Sequence, residues 1–323
     1  DVSEKNGEFS VFGASGYIGS VDFYQQGYPY VAVVKDGAGI GRAMLCPGKT
    51  SVIGTMQYLL PKDNILPKYL FYVVKYMNLE KYFTGATIPH IYFKDYKNEE
   101  FNFDFWERQV EIVSVLSKCE KVIDLCKQEL QLLDKLIKAR FVELFGDPVS
   151  NSYGLPEATL PDLGEFGRGV SKHRPRNDIK LLGGKYPLIQ TGDVANAGLY
   201  ITSYSSTYSE LGLKQSKMWD KGTLCITIAA NIAKTAILEF DACFPDSVVG
   251  FIANERTNNI FVHYWFSFFQ AILESQAPES AQKNINLKIL SELKVIVPEK
   301  RKQDQFASFV KLTDKSKVAV RKY

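Results

Sequence analysis

The densest cluster of side chains able to bind a ligand is a basic stretch in the second half of the chain. It begins at Arg168 and reaches Lys185 with Asp178 as its only acid. Glycine and proline within it predict a loop, and cations at this density suit the neutralisation of nucleic-acid phosphates. A solvated basic loop without a ligand is the alternative. The residues predicted to contact DNA here are Arg168, Lys172, His173, Arg174, Arg176 and Lys185.

Polar residues that can pair with base edges follow this stretch directly. Gln190 and Thr191 come first, and a run rich in tyrosine and serine extends from Tyr200 to Tyr208. Glutamine pairs with adenine through two hydrogen bonds, as arginine does with guanine. We therefore add Gln190 and Thr191 to the predicted DNA contacts. In the first half of the chain the candidates are Lys35, Arg42, His90 and Lys94.

No motif in the sequence points to catalysis or to a metal. Gly48-Lys49-Thr50 resembles the end of a P-loop, but residue 43, where that motif needs its first glycine, is alanine. The glycines from Gly37 to Gly41 stand between two strand-like runs, which predicts a hairpin turn and not a nucleotide site. The sequence carries no metalloprotease, serine hydrolase or adenine-methyltransferase signature. We predict no catalytic residue, no metal site and no cofactor bound by this chain.

The elements that must position the candidate residues occur twice, at an interval of about 194 residues. Solenoid repeats are much shorter, roughly 20–50 residues, so the interval indicates a duplicated domain. The matching segments are Ser51-Val52-Ile53-Gly54 with Ser247-Val248-Val249-Gly250, Ile91-Tyr92-Phe93-Lys94 with Ile285-Asn286-Leu287-Lys288, and Arg108-Gln109 with Lys302-Gln303.

A long helix is predicted between the two repeats. Apolar residues recur there at alternating steps of four and three, with only Arg140 interrupting, as in a coiled coil. Gly146 and Pro148 predict its end. A shorter helical stretch follows the second repeat. The seam residues of the long helix are Ile112, Leu116, Cys119, Ile123, Cys126, Leu130, Leu133, Ile137 and Leu144.

The order of these elements predicts four parts. The first domain covers residues 1–106, the long helix 107–148, the second domain 149–298 and the second helix 299–323. Nothing in the first domain matches residues 155–185, so we expect its opening part to lie outside this chain, which begins without a methionine. The second helix is similarly expected to be shortened.

Composition adds bounds but no function. The chain is 46% hydrophobic and 23% charged, as in ordinary globular proteins, and its net charge of +3 does not by itself indicate nucleic acid. Five cysteines without a C-x-x-C pair favour a reducing cytoplasm over a disulfide framework. The most apolar segment, from Phe261 to Leu273, is too short to span a bilayer, so no membrane is expected as a partner.

The chain resembles the specificity subunits of Type I restriction-modification systems. The resemblance covers nearly the whole chain and rests on the duplicated domain, on the long helix that ends Phe145-Gly146-Asp147-Pro148, and on Tyr186-Pro187-Leu188-Ile189-Gln190-Thr191-Gly192-Asp193 after the basic stretch. It implies an α+β fold, in which two similar mixed α/β target-recognition domains are separated by long helices that form an antiparallel coiled coil.

The resemblance also implies a function and partners. Each domain would read one half of a bipartite double-stranded DNA target, and the helices would set the gap and dock two methyltransferase subunits. Those subunits would bind S-adenosylmethionine, while motor-nuclease subunits would complete the complex. The chain itself would be non-catalytic. The alternative is a protein-interaction scaffold with a coiled-coil spacer, which would bind no DNA.

Overall fold

The computed structural model describes residues 7–85, 88–229, 232–276 and 285–321. The chain forms two compact units that divide between Asp124 and Leu125. This division lies inside the long helix, so the domain boundaries predicted at the two ends of that helix stay a prediction. The outermost residues of the predicted parts, 1–6 and 322–323, lie outside the described residues.

Within residues 7–85 and 88–124, the first unit contains six strands, two helices and the start of the long helix. A short 3-10 helix, Leu79–Tyr82, follows α1. In chain order the elements are β1 (Phe9–Gly13), β2 (Gly16–Val21), β3 (Tyr30–Val34), β4 (Ala43–Cys46), β5 (Ser51–Val52), β6 (Met56–Leu59), α1 (Pro67–Tyr76), α2 (Phe93–Tyr96) and α3 (Trp106–Phe145).

Strand β3 is the centre of the first unit because both of its faces are buried. It pairs antiparallel with β4 and β6, while β2, β1 and β5 form a second sheet. Val31 and Val33 pack in the cluster that contains Val74 of α1. Tyr30 and Ala32 pack on the other side with residues such as Val52 of β5. Because both faces of β3 are buried, its sequence shows no alternation of apolar and polar residues.

Within residues 125–229, 232–276 and 285–321, the second unit contains the end of α3, a 3-10 helix at Ile179–Leu181 and seventeen further helices and strands. The other elements are β7 (Glu157–Ala158), α4 (Leu160–Leu163), β8 (Gly164–Arg168), β9 (Leu182–Leu188), α5 (Thr191–Asn196), β10 (Tyr200–Ile201), β11 (Ser206–Tyr208), α6 (Glu210–Lys214), β12 (Met218–Trp219), β13 (Leu224–Thr227), β14 (Thr235–Leu238), β15 (Ala242–Cys243), β16 (Val248–Ala253), α7 (Asn259–Gln276), α8 (Leu287–Glu292), β17 (Val295–Ile296) and α9 (Lys300–Arg321).

The second unit repeats the layered arrangement of the first around β13. This strand pairs antiparallel with β14 and β16 in a sheet ordered β10-β14-β13-β16-β8. Leu224 and Ile226 pack in the large cluster formed with α3, α7 and α9. Cys225 packs on the opposite face with Trp219 and Ile189, towards the sheet β11-β9-β15-β12. The α+β fold with two similar units is thus confirmed.

Structural equivalence corrects one of the matched sequence segments. Ile91 and Ile285 are both buried, and each donates its backbone N–H to the residue after the central strand, Lys35 O and Ile228 O, respectively. That match is confirmed. The Ser51–Gly54 match is wrong: Ser51 and Val52 form β5, whereas Ser247–Gly250 leads into β16, the counterpart of β6. Two short segments of nearly the same sequence therefore occur at different places in the sheets of the two units.

A buried glutamine ties the start of the last helix of each unit to the rest of that unit. In the first unit, Gln109 Nε2 donates to Asn64 O and Asp104 O, each at 2.9 Å. In the second, Gln303 Nε2 donates to Arg256 O at 3.0 Å and Pro298 O at 2.8 Å. Both side chains are fully buried. The Arg-Gln and Lys-Gln pairs of the repeat therefore record a shared structural brace.

The heptad pattern forms one continuous helix, α3. Gly146 follows its last turn with φ of +75°, a conformation that favours glycine, and its N–H donates to Val142 O at 2.8 Å. Ile137 of the seam is fully buried, whereas Leu116, Cys119 and Ile123 are exposed. The seam is therefore covered in the second unit and open further towards its start.

Helix α9 packs antiparallel to the end of α3 within the second unit. Phe306, early in α9, lies with its ring centroid 5.4 Å from that of Phe141 and 5.7 Å from that of Phe145. Eleven residues further along α9, the Lys317 ammonium lies 2.5 Å from Asp134 Oδ1, which is earlier in α3. The direction of the two helices is therefore antiparallel over this stretch, while a coiled coil along the whole seam stays a prediction.

The two units differ in what covers the sheet edge. In the second unit, β8 pairs with β16, and β7 pairs with β17. Among the described residues of the first unit, no strand takes either place. Phe101 and Phe103, which precede Arg108-Gln109, are accordingly exposed. At the matching positions before Lys302-Gln303, Val295 is buried and Val297 is half-buried.

Candidate nucleic-acid interface

The basic loop, residues 169–178, connects β8 to the 3-10 helix of the second unit and is held at its base. Gly169 N–H donates to Val248 O at 2.9 Å, and Val170 N–H donates to Phe244 O at 3.1 Å. The side-chain oxygen of Gln215 accepts the N–H groups of Lys172 at 2.7 Å and His173 at 3.0 Å. The loop is therefore anchored to the sheet, and its cations project from a fixed base.

Two arginines of the basic loop share one carboxylate. Arg176 Nη2 lies 2.5 Å from Asp246 Oδ1, and Arg174 Nη2 lies 3.5 Å from Asp246 Oδ2. Arg174 Nη1 also donates to Ser171 O at 2.6 Å and His173 O at 2.9 Å. Exposed ion pairs of this kind contribute about 0–1 kcal/mol. Phosphate groups can therefore compete with Asp246 for these guanidinium groups.

His173 is held by the acid of its own loop. His173 Nε2 lies 3.0 Å from Asp178 Oδ2. The pKa of Asp178 is lowered by the Lys180 backbone N–H that it accepts, and next by His173. Within the described residues, neither Lys172 nor Arg168 has an acidic partner within ion-pair distance, and both side chains are exposed. These two cations are thus the least neutralised in the region.

Lys185 lies apart from the basic loop, in strand β9. Its ammonium lies 3.3 Å from Glu210 Oε1 and 5.1 Å from the centre of the Tyr186 ring. The stretch that looked continuous in sequence is thus divided into a loop and a strand. Arg168 is likewise a strand residue, the last of β8, opposite Val249. The structure brings together Lys172, His173, Arg174 and Arg176 in one loop.

Gln190 and Thr191 mark the start of a short helix. Gln190 precedes α5, and its backbone N–H donates to Asp193 Oδ2 at 2.8 Å. Asp193 also accepts the hydroxyl of Ser205 at 3.2 Å. The acid of this motif therefore serves helix capping, while the Gln190 side chain is exposed and Thr191 is half-buried. Their contact with bases stays a prediction.

Three of the four candidates of the first unit lie on adjacent loops, and the fourth, Lys94, lies in α2. Gly37 N–H donates to Pro89 O at 2.9 Å, which holds the turn after β3 against the segment that contains His90. His90 Nδ1 hydrogen-bonds Asp36, and its ring lies 3.9 Å from that of Tyr92. The remaining candidates flank this contact: Lys35 precedes Asp36, and the Lys94 ammonium lies 5.0 Å from the Tyr92 ring.

Arg42 lies at the other end of the same turn. Its Nη2 donates to Ala14 O at 2.8 Å, so the turn after β3 also contacts the hairpin of β1 and β2. The glycines between β3 and β4 form the predicted hairpin turn. Gly41 has φ of +77°, and a Cβ there would lie 2.4 Å from Glu80 N. Arg42, Lys35, His90 and Lys94 thus surround one compact turn.

Three contributors to these surfaces were not predicted from the sequence. Asp246 and Gln215 hold the basic loop from distant parts of the chain, and Tyr92 carries the contacts of His90 and Lys94. Asp246 lies 70 residues from Arg176 in sequence. No local pattern could reveal such a pair, because neither residue has its partner within the same element.

The described residues contain neither a candidate metal site nor a helix that could span a membrane. In residues 7–85, 88–229, 232–276 and 285–321, no group of three or more His, Cys, Asp or Glu side chains is arranged to hold a metal ion. No helix in the same residues is long and apolar enough to cross a membrane.

Comparison with known families decides the class of the chain. The model of the Type I restriction modification DNA specificity domain matches residues 2–135 and again residues 157–322. The chain belongs to this family. Both matches fall on the two halves that the internal repeat defined. A member of this family is a non-catalytic subunit that recognises DNA and assembles with other subunits, so the chain is a specificity subunit and not an enzyme.

Individual relatives have low sequence identity to this chain, but the similarity to two of them covers most of its length. The specificity subunit is 22% identical over 292 residues to the putative type I restriction enzyme MjaX specificity subunit of Methanocaldococcus jannaschii, covering 85% of this chain and 68% of that protein. The MjaIX specificity subunit of the same organism is 26% identical over 179 residues, covering 50% and 40%, respectively. The Type I restriction-modification S subunit of M. genitalium has a similar fold, with a TM-score of 0.60 at 18% identity, covering 99% of this chain and 86% of that one.

Proposed function

We propose that the specificity subunit reads a bipartite DNA target, with one half-site for each unit. The observation that carries this proposal is the duplication itself. The two units share their central strands, their helices and the buried glutamine brace. They differ in the polar residues on their loops, where one presents arginines around Asp246 and the other His90 and Lys94 around Tyr92. Similar frameworks with different contact residues suit two different short sequences.

We propose further that α3 sets the gap between the half-sites. The two units are joined by this single helix of 40 residues. An uninterrupted helix transmits both length and rotation, at about 1.5 Å per residue. DNA reading by two modules requires a fixed spacing along the duplex. A stiff connection of defined length meets that requirement.

Helix α3 carries a second apolar stripe beside its seam. Its members recur at helical spacing and are each about half exposed or more, unlike Ile137 of the seam. Two charged residues of α3, Lys118 and Glu129, lie between the members of the stripe at the same helical spacing. Exposed apolar rows of this length mark protein interfaces. The stripe residues are Val115, Val122, Leu125, Leu132 and Leu136.

We propose that this stripe docks two methyltransferase subunits. Those subunits would bind S-adenosylmethionine and methylate the target, and motor-nuclease subunits would join the complete complex in the cytoplasm. The specificity subunit itself would hold no cofactor. An apolar row flanked by charged residues is the usual composition of such an interface, with a dry centre and a polar rim.

Introducing charge into the stripe should prevent this assembly. Leu125→Glu with Leu132→Glu is expected to weaken methyltransferase binding by about 100-fold or more, because buried apolar anchors carry most of the affinity of an interface. Gln128→Glu with Gln131→Glu adds the same charge on another exposed face of α3 and should leave binding unchanged. Titration with the methyltransferase subunit measures both, and equal affinities for the two variants would contradict the docking face.

The proposed function is tested by sequencing the methylome of cells that carry the specificity subunit with its methyltransferase partners. The expected result is one methylated motif consisting of two short sequences and a constant gap. A motif with a single uninterrupted sequence would contradict reading by two units. Methylation without any motif would contradict the function itself.

A further inference from the structure

The two arginines on Asp246 differ in how much of each guanidinium remains available. Arg174 is the more heavily occupied of the two: Nη1 donates to Ser171 O and His173 O, and Nη2 faces Asp246. Arg176 uses Nη2 alone, and the described residues offer no second partner to its guanidinium. A guanidinium has five N–H groups in a fixed planar fork. Arg176 therefore retains most of its donors, whereas Arg174 closes the loop onto itself.

Asp246 stands on a rigid part of the second unit. It lies between β15 and β16, in a turn where Val248 N–H donates to Pro245 O at 3.0 Å. Pro245 and Val248 are buried on either side of it. The strands that flank this turn also receive the basic loop through Gly169 and Val170. The carboxylate therefore holds a fixed position relative to the base of the loop.

The negative charge of Asp246 weakens the attraction of the basic loop for DNA, so phosphate binding alone does not explain an acid at this position. It lowers the positive charge of the loop, and affinity for phosphates rises with that charge. A loop that served only to neutralise phosphates would bind DNA more tightly without Asp246. What the carboxylate can supply is orientation: an arginine held by one nitrogen loses less freedom when its other donors pair with a base.

We propose that Asp246 is a positioning residue that aims Arg176 at a guanine in the half-site of the second unit, while Arg174 braces the loop. This inference rests on the proposed DNA-reading function and adds to it both a residue and a base. The planar fork of arginine matches guanine O6 and N7 in the major groove. Lys172 and Arg168, which have no acidic partner among the described residues, are left to contact phosphates.

The test is the methylome of the assembled complex carrying Asp246→Ala. We expect one guanine position in one half-site to become degenerate, with discrimination there reduced by about tenfold. The other half-site and the gap should be unchanged, and binding to non-cognate DNA should be equal or tighter. Arg176→Lys keeps the charge and removes the fork, so it should relax the same position. It also leaves Asp246 in place, which separates base reading from damage to the turn.

Glu165→Ala is the matched control. Glu165 also forms an exposed ion pair, with Lys217 at 2.9 Å in the same unit, so its removal changes the charge equally and should leave the motif intact. Three outcomes would overturn the inference: an unchanged motif in Asp246→Ala, an unchanged motif in Arg176→Lys, or relaxation at different positions in the two variants. A wild-type complex that methylates without any motif would instead overturn the proposed function, and this inference with it.

Discussion

Deleting residues 121–127 from α3 should shorten the gap of the DNA target and leave both half-sites unchanged. Seven residues account for about 10 Å of helix, and the helix axis of DNA advances about 3.4 Å per base pair. The gap is therefore expected to lose up to about three base pairs. The deletion removes Val122 and Leu125 from the stripe. Because seven residues are close to two full turns, the remaining seam and stripe residues keep their faces. Methylome sequencing of cells carrying the deletion measures the gap directly.

Duplicating the same seven residues is the matched control for this deletion. It should lengthen the gap by the same amount, because the phase of the helix is again preserved. The segment lies between Glu120, which accepts the Tyr72 hydroxyl, and Asp134, which pairs with Lys317. Neither contact is removed. A constant gap in both variants would show that another part of the complex sets the spacing, and altered half-sites would contradict α3 as a simple spacer.

Phe141→Ala should destabilise the second unit by about 3–5 kcal/mol, as expected for a large buried aromatic residue. The Phe141 side chain is fully buried. Its ring is stacked on that of Phe261 at 5.3 Å and packs edge-on against Phe145 and Phe306. Three helices of the second unit, α3, α7 and α9, thus lose contact at one point. Chemical denaturation, with the loss of helical signal as the readout, measures the change.

Val142→Ala provides the comparison for this variant. Val142 is the next residue of the same helix, but its side chain is 38% exposed. Its truncation should change the free energy of unfolding by no more than about 0.5 kcal/mol, as at other surface positions. Equal losses for the two variants would contradict the aromatic cluster as the main source of stability at this point of the second unit.

Periodic features of the sequence were sufficient to predict the framework. The heptad steps indicated α3, and the glycine and proline after it indicated its end at Phe145. The strand-like run before Gly37 predicted the central strand β3 of the first unit. These signals are local and repeat along the chain, so they can be recognised in a single sequence. The match of Ser51–Gly54 with Ser247–Gly250 failed because four residues fit many strand ends.

The candidate interface was less predictable, because its geometry comes from residues far apart in the chain. Charge density identified the basic loop, but it did not show that Arg174 is occupied by backbone carbonyls or that Lys185 belongs to β9. Asp246 and Gln215 act only through tertiary contacts. Sequence reasoning finds a charged segment more readily than the acid that restrains it.

The antiparallel contact between α3 and α9 also has a consequence for biosynthesis. Asp134 and Lys317 are 183 residues apart in sequence. A growing chain therefore completes α3 long before it produces α9, the helix that covers the end of α3. The ring of Phe141 stays without its contact to Phe306 until then. Contacts of such long sequence separation form slowly, and apolar surface left open in the meantime promotes aggregation. Expression together with a subunit that binds α3 early should consequently raise the yield of correctly folded protein.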